Sequence, residues 1–231
     1  MTSNQLAGSF TQRMIPTRHP SWDEFAARTG GTLKRHSFWR SDEIVTSMGG
    51  WEVHLQSVML DHKTGARNPG TFYSTRRGTE VWAGFSSLDG FRFSVRDREW
   101  LHRQPYQLRW DIDVGRLVDA VRRRRQPEDT QIGNETFDQR FVTRSNDPAK
   151  LRALVEGAAL ERILKRPYLA EFHIEAGEPD ESGAPQPASL VVWERDMLQD
   201  ADQLLDLHEV LLALLDRLGR LGSAGPLASS T

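Results

Sequence analysis

The sequence predicts an α+β fold: a mainly antiparallel sheet, helices packed on one of its faces, and a long C-terminal helix as a major core element. Three observations carry this. Between Trp51 and Asp97 apolar residues recur with period two, as in half-buried strands. After residue 127 the expected order is strand, helix pair, strand, strand, helix, which suits helices laid on one sheet face. From Asp200 to Leu221 the leucines recur at spacings of three and four, the mark of a helix with one buried side.

Residues 1–19 read as a flexible lead that lacks the basic start and apolar run of a secretory signal. A first helix is expected from Ser21, where Ser21-Trp22-Asp23-Glu24 has the form of a capping box. Gly30-Gly31 ends it, because glycine adopts left-handed backbone without steric cost. Trp51, Val53, Leu55, Ser57 and Met59 then make one strand face, and Phe91, Phe93 and Val95 another. The segments Thr71–Arg76 and Glu80–Ser86 are close enough to pair as a hairpin. Asp89-Gly90 suits a turn from the latter into Phe91–Asp97. An antiparallel meander is the expected topology. Val114–Arg125 has a short helical pattern, followed by the polar connector Gln126-Pro127-Glu128-Asp129.

In the second half, Phe137–Arg144 reads as a strand. Asp147 is a good N-cap, and Pro148 suits a first helical position because its missing N–H is not needed there. Gly157 interrupts that helix, and Leu160, Ile163 and Leu164 continue it towards Pro167. Tyr168–Ala176 and Ala188–Glu194 read as strands around a flexible loop, 177–187. Asp200 and Gln203 stand in capping-box relation, Arg217 and Arg220 sit where the helix dipole favours cations, and Gly222 closes the chain's last helix. The expected organisation is a lead (1–19), a helix-plus-strand unit (20–126), a second half (127–222) forming one unit with it, and a flexible tail (223–231).

Of the 231 residues, 38% are hydrophobic and 27% charged, a balance that supports a core and argues against wholesale disorder. There are no cysteines, so thiolate catalysis, iron–sulfur clusters and zinc ribbons are excluded. No stretch reaches the ~18–20 apolar residues of a membrane-spanning helix. A soluble, cytoplasmic protein with no membrane partner is expected. The basic residues are 26 Arg and 4 Lys, unevenly spread. Residues 62–125 hold 14 basic and 7 acidic groups, whereas 126–231 hold 10 and 19.

The run Asn134-Glu135-Thr136-Phe137-Asp138-Gln139-Arg140-Phe141 through Ser145-Asn146-Asp147-Pro148 resembles a recurrent bacterial pattern. In that pattern a Phe-Asp-x-x-Phe strand leads into a Ser-x-Asp-Pro helix start. It is found in uncharacterised bacterial proteins grouped as domains of unknown function. Leu215-Asp216-Arg217-Leu218 through Gly222-Ser223-Ala224 is similar to the end of such chains. The resemblance covers the last hundred residues or so and implies a folding signature, with no catalytic residues to carry over.

Chemistry-bearing motifs are sparse. The seven histidines include no pair at zincin spacing and no facial triad, so neither a metal nor another cofactor is expected. His54, Asp61 and His62 are candidates to converge at one strand end, and His208 falls on the apolar stripe of the last helix. There is no nucleophile elbow, Walker loop or dinucleotide fingerprint. Asp111 and Asp113 alternate on an extended segment without a second acidic cluster.

The best candidate is an arginine field on the polar face of the sheet, made of Arg76, Arg92, Arg96, Arg140 and Arg144. Arg98 and Arg122–Arg125 are possible additions, with Tyr73 and Trp82 as stacking partners. The bland reading is a solvated face whose charges pair with Asp97, Glu99 and Asp138. The leading functional expectation is therefore a non-enzymatic interaction module for a protein partner or an anionic ligand. The last helix packs on its own sheet or forms a homodimer seam. Two alternatives stay open: a hydrolase or transferase with scattered His, Asp and Arg residues, and a nucleic-acid binder using the arginine-rich face.

Overall fold

The computed structural model describes residues 20–34, 43–62, 74–103, 130–176, 186–225 and 227. The strands are β1 (Thr32–Lys34), β2 (Glu43–Met48), β3 (Trp51–His62), β4 (Ser74–Ser87), β5 (Phe93–Asp97), β6 (Phe141–Ser145), β7 (Leu169–Ala176), β8 (Gln186–Glu194) and β9 (Ala224–Gly225). All pair antiparallel in one sheet of order β1-β2-β3-β4-β8-β7-β5-β6, with β9 beside the end of β4. The described helices are α1 (Pro20–Thr29), α2 (Arg98–Arg103), α3 (Glu135–Arg140), α4 (Pro148–Leu154), α5 (Ala158–Leu164) and α6 (Ala201–Arg220). The expected α+β class, antiparallel sheet and long C-terminal helix are all present.

One sheet face is the floor of the core. Val53, Leu55, Val81, Ala83, Phe85, Phe172, Leu190 and Val192 are buried there. Over them lies α6, which buries Leu204, Leu207, Leu211, Leu214, Leu215 and Leu218. The leucine stripe is thus spent on the chain's own sheet. Asp200 caps α6 by accepting from the N–H of Asp202 at 2.7 Å, and Gly222 (φ 69°) lets the N–H of Ser223 reach back to the Leu218 carbonyl at 3.0 Å. α1 is fastened beside it by Trp22 Nε1, which donates to the Leu198 carbonyl, and by Arg28, paired with Asp202 at 2.6 Å. Among the described residues no helix is long and apolar enough to cross a membrane.

Several local expectations are corrected. α1 begins at Pro20, so Ser21 is inside the helix and its Oγ has no hydrogen-bond partner. The fixed φ of proline suits the first turn and displaces the capping box. Residues 74–87 are one continuous strand, not the two arms of a hairpin, and the hairpin partner of β4 is β3. Gly78 makes no turn; a Cβ on it would come 2.6 Å from Trp193 Nε1, so glycine is there for close approach. Asp89 and Gly90 (φ 68°) do form a turn, with the Phe91 N–H donating to Asp89 Oδ1 at 2.9 Å. It delivers β5 to the far side of β8 and β7, so the meander is broken.

Phe137–Arg144 is also not one strand: α3 occupies 135–140, and β6 starts at Phe141. Residues 224–225 belong to the sheet as β9 and not to a tail. The helix expected at Val114–Arg125, the connector 126–129, the lead 1–19 and most of the loop 177–187 lie outside the described residues.

Candidate functional site

The five predicted arginines part company in the structure. Strand alternation and register put Arg96 and Arg144 on the sheet face away from α6, since Arg96 stands opposite Glu171 and Arg144 opposite Ser94. Arg92, exposed just before β5, continues the same alternation. Arg92 and Arg144 have no ion pair among the described residues, but Arg96 Nε donates to Glu171 Oε1 at 2.9 Å. Glu171 and Glu175 flank His173 on the same face, so the arginines there are interleaved with carboxylates. Arg76 stands opposite Leu60 in the β3–β4 register, and its side chain lies outside the described ones.

Arg140 is not part of that face. It ends α3, and its Nε donates to Asp97 Oδ2 at 3.2 Å. Its Nη2 donates to the carbonyls of Arg166 (2.6 Å) and Leu169 (3.2 Å), and its guanidinium stacks over Phe141. The sequence-level pairing of Phe137 with Phe141 is real, with ring centroids 4.7 Å apart, but they meet across the α3–β6 junction. Among the described residues Asp138 pairs with no arginine. Its carboxylate accepts the N–H groups of Ile132 and Gly133, both at 3.0 Å, and so orders the chain entering α3.

His54 stacks flat on Trp82, with ring centroids 3.8 Å apart and planes 4° from parallel. Its two nitrogens face Glu43 (2.6 Å) and Glu52 (3.0 Å). The side chains of Asp61 and His62 lie outside the described ones, as do Tyr73, Asp111, Asp113 and Arg122–Arg125. Among the described residues no three His, Asp or Glu side chains group as metal ligands.

What Arg140 holds in place is the turn Arg166-Pro167-Tyr168, which leads from α5 into β7. The strand enters the sheet with a bulge: Leu169 opposes Glu194 and Glu171 opposes Trp193, leaving Ala170 as the extra residue. Two clefts flank this turn and meet at Pro167.

The first, about 550 Å³, is lined by charged groups of both signs and by Tyr168, Leu198 and Val210. At its floor Arg166 Nε donates to Glu194 Oε2 at 2.7 Å, Nη2 donates to the same oxygen, and Nη1 donates to the Gln203 carbonyl at 3.2 Å. The pair is almost fully buried, with side-chain exposures of 9% and 2%. Burial pushes the Glu194 carboxyl above its ordinary range, and the Arg166 guanidinium only partly offsets this.

The second cleft, about 620 Å³, is lined by Asp97, Arg98, Glu99, Gln139, Arg140, Leu164, Pro167 and Arg195. Asp97 is already engaged by Arg140 and by the backbone N–H of Trp100 at 2.9 Å, so it starts α2 and anchors the guanidinium at once. Arg195 lies over the Tyr168 ring, its guanidinium carbon 5.7 Å from the centroid. Neither Arg98 nor Arg195 has a carboxylate partner among the described residues. Three guanidiniums against two carboxylates leave this cleft with a cationic surplus.

Arg98, Arg195 and Tyr168 were not legible as one site. Arg98 sits at the end of a period-two run and reads as a strand residue, whereas it is the first residue of α2. Arg195 and Tyr168 adjoin two strand ends whose proximity depends on the β7–β8 pairing. The only local signal was the pair of strand boundaries itself, Tyr168 before one and Arg195 after the other. Comparison with known protein families, with curated proteins and with solved structures finds no match to this chain.

Proposed function

We propose that this protein is a non-enzymatic, cytoplasmic binding module whose ligand is anionic, and that the ligand is held in the cleft of Arg98, Arg140 and Arg195. The observation that carries the reading is the division of labour among these guanidiniums. Arg140 is held by Asp97 and two carbonyl oxygens and acts as scaffold, while Arg98 and Arg195 line the same cleft without carboxylate partners among the described residues. Planar guanidinium forks suit the oxygens of phosphate or carboxylate. The sheet-face arginines are a poorer receptor, because Glu171 and Glu175 compete for any cation there.

The test is native mass spectrometry of the gently purified chain, followed by calorimetric titration with inorganic pyrophosphate. Saturable binding that is lost in R98E/R195E and kept in R92E/R144E is the expected result. Loss in R92E/R144E alone would move the site to the sheet face. An affinity for single-stranded oligonucleotide far above that for pyrophosphate, falling steeply with salt, would favour the nucleic-acid reading.

One observation supports an enzyme as second reading: a carboxyl with a raised pKa, Glu194, lies at the floor of the first cleft beside Arg166. Its mark would be a bound metabolite that the native protein converts and the E194Q variant retains unchanged.

A further inference from the structure

The two clefts meet at Pro167, and the next residue, Tyr168, sets an aromatic ring beside that junction. Tyr168 lines the first cleft and is 48% exposed, while its chain neighbour Leu169 is fully buried. Arg195, stacked on that same ring, lines the second. A group seated against Arg98 and Arg195 is therefore one side chain away from an exposed aromatic face with apolar neighbours, Leu198 and Val210, across the first cleft.

The backbone that carries the ring is also fixed. The Tyr168 carbonyl accepts from the Arg195 N–H at 3.0 Å, and the adjoining Arg166 carbonyl accepts from Arg140 at 2.6 Å. The backbone that carries the ring is thus pinned to the same arginine that scaffolds the anion cleft. Preorganised elements of this kind lower the entropy cost of binding.

We infer that the ligand is an aromatic phosphate, a phosphoryl group joined to a planar ring as in a mononucleotide, with the phosphoryl group at Arg98 and Arg195 and the ring against Tyr168. This rests on the anion-binding reading above and adds the chemical class of the ligand. A guanidinium placed between an anion and an aromatic ring serves both, hydrogen-bonding one and stacking on the other.

The experiment compares phenyl phosphate with methyl phosphate by calorimetric titration of the full chain, in the unaltered protein and in Y168A and Y168F. Both substitutions are at an exposed side chain, and far-ultraviolet circular dichroism checks that the fold is kept. An aromatic contact of this kind is expected to make phenyl phosphate bind about fivefold tighter. That advantage, read as the ratio of the two affinities within each protein so that any change in the seating of Arg195 cancels, disappears in Y168A and returns in Y168F. Equal affinity for the two phosphates in the unaltered protein would overturn the inference and leave the anion site standing. An advantage that survives in Y168A would equally overturn it, since the ring would then lie elsewhere. If neither phosphate binds, the anion-binding reading itself fails.

Discussion

Glu194 shows how much one buried charge leans on its partner. At 2% exposure, its carboxylate has exchanged water for two hydrogen bonds from Arg166 and whatever attraction the guanidinium supplies. Removing one partner of such a pair leaves an unpaired charge and typically costs about 3–5 kcal/mol. Arg166→Met is expected to destabilise the fold by that order in urea titration at neutral pH, and adding Glu194→Gln should recover most of it. The pH dependence follows from the sign of the shift. A carboxyl whose folded pKa lies above its unfolded value contributes stability that is full below the unfolded value and lost as pH rises through the folded one. Without Arg166 the folded value climbs further, so lowering the pH from neutral should recover more stability at this site in the single variant than in the unaltered protein. Gly78 belongs to the same neighbourhood. Its β4 backbone passes so close to Trp193 that Gly78→Ala is expected to cost about 1–3 kcal/mol by overpacking, read from the same titrations.

At the scale of elements, α1 and α6 meet through a contact that is sensitive to protonation. His208 is 1% exposed, its ring stands edge-on to Phe25 with centroids 5.7 Å apart, and its Nε2 has no hydrogen-bond partner. Burial holds its pKa below the ordinary 6.5, opposed only by neighbouring Glu209. The unfolded chain therefore takes up the proton first on acidification. Stability from this site is complete above about 6.5 and drains away as the pH falls through the folded value. His208→Leu should flatten that acid loss, seen as a smaller shift in urea midpoint between pH 7.5 and 5.5.

The same helix was the most legible part of the sequence, because twenty residues of sustained period leave no competing assignment. Phe137 and Phe141 illustrate the opposite case. A spacing of four places two side chains on one face of a strand and equally on one face of a helix, so periodicity cannot separate them. What decides is Asn134, whose Oδ1 accepts from the Phe137 N–H at 3.0 Å and starts α3. Asn134 is a readable N-cap that the aromatic alternation overshadowed.

At the scale of the whole molecule, the order of strands is where reading from the sequence stops. Residue-level patterns identify strands, but pairing is settled by which faces fit, and neighbours in sequence are not neighbours here. β8 and β7 are inserted between β4 and β5, so the strands of residues 20–126 and those of 127–222 interlock. The candidate site inherits this: Arg98 follows β5, Arg195 follows β8, and Tyr168 precedes β7, so no segment shorter than the sheet contains it. Interlocking has a mechanical consequence. Without the second half, β4 loses β8, and β5 loses both of its partners, β6 and β7. Without the first half, α6 and β8 have no β4 to close the core. Edges so exposed are unpaired along most of their length, and each fragment buries too little apolar surface to offset its chain entropy. Fragments 1–126 and 127–231 expressed separately are therefore expected to show neither cooperative urea transitions nor dispersed amide spectra. Mixed, they should regain both, together with pyrophosphate binding. A cooperative transition in either fragment alone would mean that half of this sheet is an independent folding unit, and the interlocked order would then be an assembly of two domains.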